Sequence, residues 1–187
     1  TGGYYVETAR FWYQYQCLPG NTKIGLITIR PDLYGPFNVS GMPIQQISID
    51  ENCRTHISSV IVDGCTSLTS LFFTNQEYCT EVSALNCPSL VDIDLSNCGL
   101  RKISVKMRGF SEPLTLLSFG SGTVGMHNMD GGTDMNKVIV LATPAESENF
   151  IGWYEDGSLV STELEYRHTG GGKLYACFAG DADGNGQ

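Results

Sequence analysis

The stretch that decides the fold is Thr66–Met107, "TSLTSLFFTNQEYCTEVSALNCPSLVDIDLSNCGLRKISVKM". Apolar residues at relative positions 0, +3 and +5 recur there and upstream in two interleaved series. The first series is Ile44, Ile47, Ile49; Leu68, Leu71, Phe73; and Leu90, Ile93, Leu95. The second is Ile57, Val60, Val62; Cys79, Val82, Ala84; and Leu100, Ile103, Val105. Because alternate residues of a strand share a face, the +3 and +5 residues should point inward, and stacking of such units should supply the core.

The residues that follow these apolar triplets form a second part of the repeat pattern. An Asn or Cys follows at Cys65, Asn75, Cys87 and Asn97, where we expect the side chain to point inward and bond backbone groups of the bend. The resulting spacing, L-x-x-L-x-L-x-x-[NC]-x-L, resembles that of leucine-rich repeats, and residues 44–108 resemble their compact bacterial form. The resemblance implies a short leucine-rich-repeat solenoid in a mainly β protein.

Residues 1–43 precede the regular repeats and allow two interpretations. The region could be an N-terminal β cap, or it could include a degenerate repeat beginning with Ile24, Ile27 and Ile29. Its aromatic cluster, which includes Trp12, could pack within such a cap or form a platform for carbohydrate. The sequence leaves both choices open.

Past the repeats the composition changes, and residues 109–179 predict a second, β-rich module. Five landmarks there resemble the divergent internalin B-type repeat. They are Ala142/Pro144, Phe150/Gly152/Trp153, Asp156/Gly157, Val160/Ser161 and Leu174/Ala176/Phe178. The resemblance implies a small C-terminal β-grasp-like module with Trp153 in its core. It also implies an extracellular or cell-surface bacterial protein.

The tail, residues 180–187, contains "DADGNGQ", which resembles the start of a dockerin calcium loop. Its oxygen-bearing residues Asp181, Asp183 and Asn185 have the spacing of the first three loop ligands. The closing acidic residue is missing, so we expect no tight calcium site in this chain, and calcium only if the loop is completed downstream. The tail is then either the first part of a dockerin or a solvated linker.

Composition narrows the classes of partner. The net charge is −9 with only 11 Lys and Arg residues, which disfavours nucleic acid. No apolar run reaches the roughly 18 residues of a membrane span, so we expect no membrane insertion. The spacing of Cys65, Cys87 and Cys98 follows the repeat, which predicts reduced, buried thiols rather than a disulfide framework. No familiar catalytic motif is present, and we expect neither enzyme activity nor a cofactor.

The outward positions of the repeat are the remaining candidate site. Phe72 is expected to be an exposed aromatic flanked by Asp50 and Asp94, with Asp92 beside them. We therefore expect a non-catalytic protein that mediates adhesion or recognition of a protein or glycan, with a monomer as the default state. The alternatives are a structural spacer in a larger secreted protein, or a carbohydrate-binding accessory region that uses Trp12.

Overall fold

The structure is a computed structural model that describes residues 3–5, 13–17, 24–29, 33–49, 53–128, 136–146 and 148–180. The described residues form strands and no helix, as the mainly β expectation requires. Consequently none of them belongs to a helix long and apolar enough to cross a bilayer.

Two sheets contain all of the described strands. In spatial order, the nine-stranded sheet comprises β1 (Gly3–Tyr5), β2 (Tyr13–Cys17), β3 (Ile24–Ile29), β5 (Ile44–Ile49), β7 (Ser70–Phe72), β9 (Asp92–Asp94), β12 (Thr123–His127), β13 (Lys137–Thr143) and β16 (Glu165–Thr169). The eight-stranded sheet comprises β15 (Ser158–Ser161), β14 (Glu148–Glu155), β17 (Gly172–Gly180), β11 (Leu114–Phe119), β10 (Lys102–Val105), β8 (Glu81–Ala84), β6 (His56–Ile61) and β4 (Tyr34–Asn38).

Through the repeat region the chain alternates between the sheets and builds a β-solenoid. Strands β5, β7 and β9 pair in parallel in one sheet, while β6, β8 and β10 pair in parallel in the other. Strands β3 and β4 stack in parallel on β5 and β6 as a further rung. Beyond β3, strands β2 and β1 add antiparallel to the nine-stranded sheet.

The predicted register is confirmed. Every residue of both apolar series is buried, with the least buried of them, Ile49, only 5% exposed. The +3 residues lie in direct register between rungs, as in the columns Ile47–Leu71–Ile93 and Val60–Val82–Ile103. Because each rung covers the apolar edge of the next, the core runs along the solenoid between the two sheets.

The prediction that an Asn or Cys points inward at each corner of the solenoid is confirmed for the two Cys residues and wrong for the two Asn residues. Cys65 and Cys87 point inward as expected, and their thiols donate to the carbonyl oxygens of Val39 and Val62, each at 3.2 Å. Asn75 and Asn97 are exposed instead, so the expectation that they point inward is wrong. Both adopt positive φ, 58° and 54°, the left-handed conformation that Asn tolerates better than most residues.

The residue after each left-handed Asn takes the inward position. Cys98 follows Asn97 and donates its thiol proton to the carbonyl of Phe73 at 3.2 Å. Gln76 follows Asn75, and its Oε1 accepts hydrogen bonds from both the backbone N–H and the hydroxyl of Thr55, each at 2.9 Å. The chain turns at Asn, and the next side chain satisfies the buried backbone of the rung below.

The strands of the second predicted module continue the same two sheets. β11 pairs antiparallel with β10, and β12 pairs antiparallel with β9. β17 then runs parallel to β11, with β14 and β15 beyond it, while β13 and β16 extend the nine-stranded sheet. Trp153 is fully buried, as expected, and its indole N–H donates to the carbonyl of Glu163 at 3.1 Å.

Candidate functional site

The outward residues of β5, β7 and β9 form a flat array, here called the polar face. Its six residues are Gln46, Ser48, Ser70, Phe72, Asp92 and Asp94. The strand register places them in two columns, Gln46–Ser70–Asp92 and Ser48–Phe72–Asp94. His127 extends the second column as the partner of Asp94. Directly opposite residues on one face lie within contact range, so these side chains form one continuous surface.

Phe72 occupies the middle of this surface, between Ser48 and Asp94 on the neighbouring strands. It is half-buried rather than exposed. Among the residues whose exposure the structure describes, the large exposed aromatics lie elsewhere, at Tyr34, Tyr78 and Phe119. The structure therefore keeps Phe72 in the candidate surface but as a partly shielded apolar centre.

The two acids of the polar face carry uncompensated charge. Ser70 Oγ donates to Asp92 Oδ2 at 3.4 Å, and the N–H of Ser96 donates to Asp94 Oδ1 at 3.0 Å. Neither carboxylate has a cationic partner within 4 Å among the residues that the structure describes. Both acids lie on β9, on one side of Phe72, so the polar face has an apolar centre with a negative edge along β9.

The backbone beneath the acids is held by a side chain from the next strand. Asn128 Oδ1 accepts the N–H of Ile93 at 2.6 Å, and its Nδ2 donates to the carbonyl of Val91 at 2.7 Å. This amide therefore replaces the strand partner that β9 would otherwise lack at that point. The position of Asp92 is fixed from both sides, by Ser70 and by the Asn128 clamp.

The outward face of the eight-stranded sheet differs in charge. Lys102 Nζ lies 2.8 Å from Glu81 Oε1, in a pair whose side chains are 47% and 43% exposed. Asp63 Oδ1 accepts from the Ser83 hydroxyl at 2.7 Å and from the N–H of Leu85 at 2.8 Å. Lys102 and Glu81 thus compensate each other's charge, whereas Asp92 and Asp94 have no such partner among the described residues, which makes the polar face the better candidate for attracting a basic partner.

Three of the five predicted surface residues are brought together, namely Phe72, Asp92 and Asp94. Asp50 and Trp12 lie outside the described residues, as do Asp181, Asp183 and Asn185 of the tail. The flank assigned to Asp50, the aromatic platform assigned to Trp12, and the incomplete calcium loop therefore remain predictions.

One surface feature was missed from the sequence. The rings of Tyr34, His56 and Tyr78 stack in a column, with centroids 5.2 Å and 4.7 Å apart and interplanar angles of 21° and 20°. These residues are spaced at 22, the length of one repeat, so their interval was a readable signal. Because each ring covers a face of its neighbour, the column stabilises the rungs, while Tyr34 and Tyr78 at its two ends remain 58% and 50% exposed.

The buried thiols are poor candidates for nucleophilic chemistry. Burial raises the pKa of Cys79 to about 12 and the pKa values of Cys87 and Cys98 to about 11. Since the thiolate is the reactive form, these groups stay protonated and unreactive near neutral pH. Within the described ranges, no three His, Cys, Asp or Glu side chains are grouped as metal ligands would be.

Comparison with protein-family models, with curated proteins and with solved structures gives no match to this chain.

Proposed function

We propose that this chain is a non-catalytic recognition protein that binds a protein partner through the polar face. The observation that carries the proposal is the register of Phe72 with Asp94 and of Ser70 with Asp92 on one outward surface. An apolar centre with unpaired acids along one side suits a partner that presents an apolar residue beside Lys or Arg.

The charge of the whole chain supports the same type of partner. A net charge of −9 gives the protein a negative field that attracts basic surfaces and repels acidic ones. Association with such a partner should therefore be fast at low salt and should weaken as salt screens the two acids.

The finer fold assignment and the location belong to the same proposal. The repeat spacing supports a leucine-rich-repeat solenoid over residues 44–108, and the landmarks in 109–179 support an internalin B-type, β-grasp-like module. Both resemblances point to an extracellular or cell-surface bacterial setting. The proposed absence of catalysis is supported by the protonated thiols and by the lack of a familiar catalytic motif.

The test compares matched aromatic variants. Phe72→Ala removes the centre of the polar face, whereas Phe119→Ala removes an exposed aromatic from the other sheet. Proteins captured by the wild-type chain from cell-surface and supernatant extracts are identified by mass spectrometry, and their affinities are then measured. We expect a partner whose affinity falls at least about tenfold in Phe72→Ala and in the double variant Asp92→Asn/Asp94→Asn, but not in Phe119→Ala. Equal binding by all of these variants would contradict the proposal.

A structural spacer is the second candidate, and the continuity of the sheets favours it. Strands from the repeat region and from residues 109–179 share both sheets, which suits a rigid rod. The third possibility, a carbohydrate-binding accessory region, rests on Trp12. Glycan-array binding lost in Trp12→Ala but retained in Phe72→Ala would select it, and absence of binding to both protein and glycan would leave the spacer.

A further inference from the structure

A cleft of about 470 Å³ lies at one corner of the solenoid, away from the polar face. It crosses successive turns, with Thr66 on one, Asn86 and Cys87 on the next, and Met107 and Phe110 on the third. Its volume is within the range of small-molecule sites, and it is half-open to solvent. A ligand seated here could therefore be one unit of a longer chain.

The floor of the cleft is apolar and rigid. Cys87, Met107 and Phe110 are each at most 4% exposed as residues, so the cleft reaches the solenoid core. The Cys87 thiol donates to the carbonyl of Val62 at 3.2 Å, and burial raises its pKa to about 11. The floor thus offers apolar atoms rather than a nucleophile.

Two cations at the rim make the cleft locally positive, although the chain as a whole has a net charge of −9 that opposes the approach of a polyanion at long range. Lys106 and Arg108 both line the cleft, and none of its eight lining residues is acidic. Within the described residues neither side chain makes an ion pair or a side-chain hydrogen bond. Their donors are therefore available, and a guanidinium matches the two oxygens of a carboxylate in a bidentate pair.

The other polar side chains of the cleft can form hydrogen bonds with hydroxyl groups of a ligand. The Asn86 amide and the Thr66 hydroxyl line the same cleft, and together they can donate and accept hydrogen bonds. One acid, Asp63, lies close enough to Cys87 to raise its pKa, but Asp63 is not in the lining. Its Oδ1 already accepts from Ser83 and Leu85.

We infer that this cleft binds a uronic acid unit of an acidic polysaccharide. Arg108 and Lys106 hold the carboxylate, Asn86 and Thr66 take the hydroxyls, and the sugar ring covers the apolar floor of the cleft. The half-open side leaves room for the polysaccharide to extend beyond the bound unit. This site is independent of the polar face, so it stands or falls separately from the proposed function.

Titration calorimetry of the full chain with oligogalacturonate, and with the same oligomer fully methyl-esterified, tests the inference. The ester keeps the ring and removes the charge. We expect the acid oligomer to bind and the ester to bind at least about tenfold more weakly, the factor expected for loss of one charge-assisted hydrogen bond. Arg108→Gln should weaken acid binding by a similar factor, whereas the control Arg167→Gln, exposed on β16, should leave it unchanged.

Four outcomes would overturn the inference. Absence of oligogalacturonate binding at its solubility limit would do so, as would equal affinities for acid and ester. Equal losses in Arg108→Gln and Arg167→Gln would show attraction by overall charge rather than by this cleft. A poly-glutamate peptide that binds as tightly as oligogalacturonate, with the same dependence on Arg108, would overturn the assignment to a sugar. Phe72→Ala should leave oligogalacturonate binding intact, which separates this site from the polar face.

Discussion

The repeat region, residues 44–108, and the strands of residues 109–179 build the same two sheets in different ways. In the first, the chain alternates between sheets and every new strand is parallel to the previous one in its sheet. In the second, most pairings are antiparallel, and the pairing of β14 with β17 shifts register between Phe150 and Gly152. The strands of residues 44–108 are thus arranged by a repeated sequence pattern, whereas those of residues 109–179 are arranged by individual long-range strand pairings.

This difference teaches where structural information lies in the chain. In the repeat region each rung contacts a copy of itself about 22 residues away, so one local pattern specifies every contact. Among residues 109–179, β11 pairs with β17 across more than 50 residues of chain, from Leu114↔Gly172 to Phe119↔Cys177. Nothing in the local sequence of β11 indicates that partner.

The largest expected change in stability comes from a charge placed in the core of the repeat region. Ile93→Asp, on the inward column of β9, should lower the free energy of unfolding by roughly 4 kcal/mol or more, because the carboxylate would be buried without a partner. Thermal and urea unfolding followed by circular dichroism measures the change. Val82→Asp should behave alike, while Thr115→Asp, outward and opposite Lys173, should change stability little. Cooperative melting of Ile93→Asp at the wild-type temperature would show that the register is wrong.

Trp153→Ala tests whether the two regions unfold together. Removing a fully buried indole should cost about 3–5 kcal/mol through lost contacts and the cavity left behind. Since β10 and β11 are paired, we expect one calorimetric transition to move as a whole to lower temperature. Two transitions, with only one displaced, would instead support independent modules over residues 44–108 and 109–179.

A smaller effect comes from the buried thiols of the repeat region. A thiol in the unfolded chain has a pKa near 9.0, whereas burial raises the pKa of Cys79 to about 12 and those of Cys87 and Cys98 to about 11. Between these values the unfolded chain loses protons that the folded chain keeps. Stability is therefore fully present below pH 9 and falls as the pH rises towards 11, by about 1.4 kcal/mol per thiol and pH unit at most.

Urea titrations at pH 8, 9 and 10 measure this slope. Cys98→Ala should have a lower free energy of unfolding at every pH. That free energy should also fall less steeply with pH, because one of the buried thiols has been removed. Cys177→Ala, which removes a thiol that is only partly buried, serves as the control from the other region. A free energy of unfolding that does not fall between pH 9 and pH 10 would contradict the burial of these thiols.

The candidate site shows the same division between local and long-range information. That Ser70, Phe72, Asp92 and Asp94 share a face follows from period-two alternation on strands whose inward residues were already identified. The half-burial of Phe72 is a property of the stacked rungs, and the Asn128 clamp comes from the residue that follows β12, 35 residues beyond Ile93. The cleft of Lys106 and Arg108 depends on three turns aligning at one corner, which only the stacked rungs achieve.

By itself, the sequence determined the mainly β class, the inward register of both apolar series, and the burial of Cys65, Cys87 and Trp153, because each depends on a local alternation or on a motif's own apolar residues. Tertiary structure alone decided that Gln76 and Cys98, rather than Asn75 and Asn97, enter the core. A left-handed Asn redirects the chain, so the next side chain donates a hydrogen bond to a carbonyl of the previous rung. The joining of residues 109–179 to both sheets was likewise decided by strand edges, whose hydrogen-bonding groups accept any strand that reaches them.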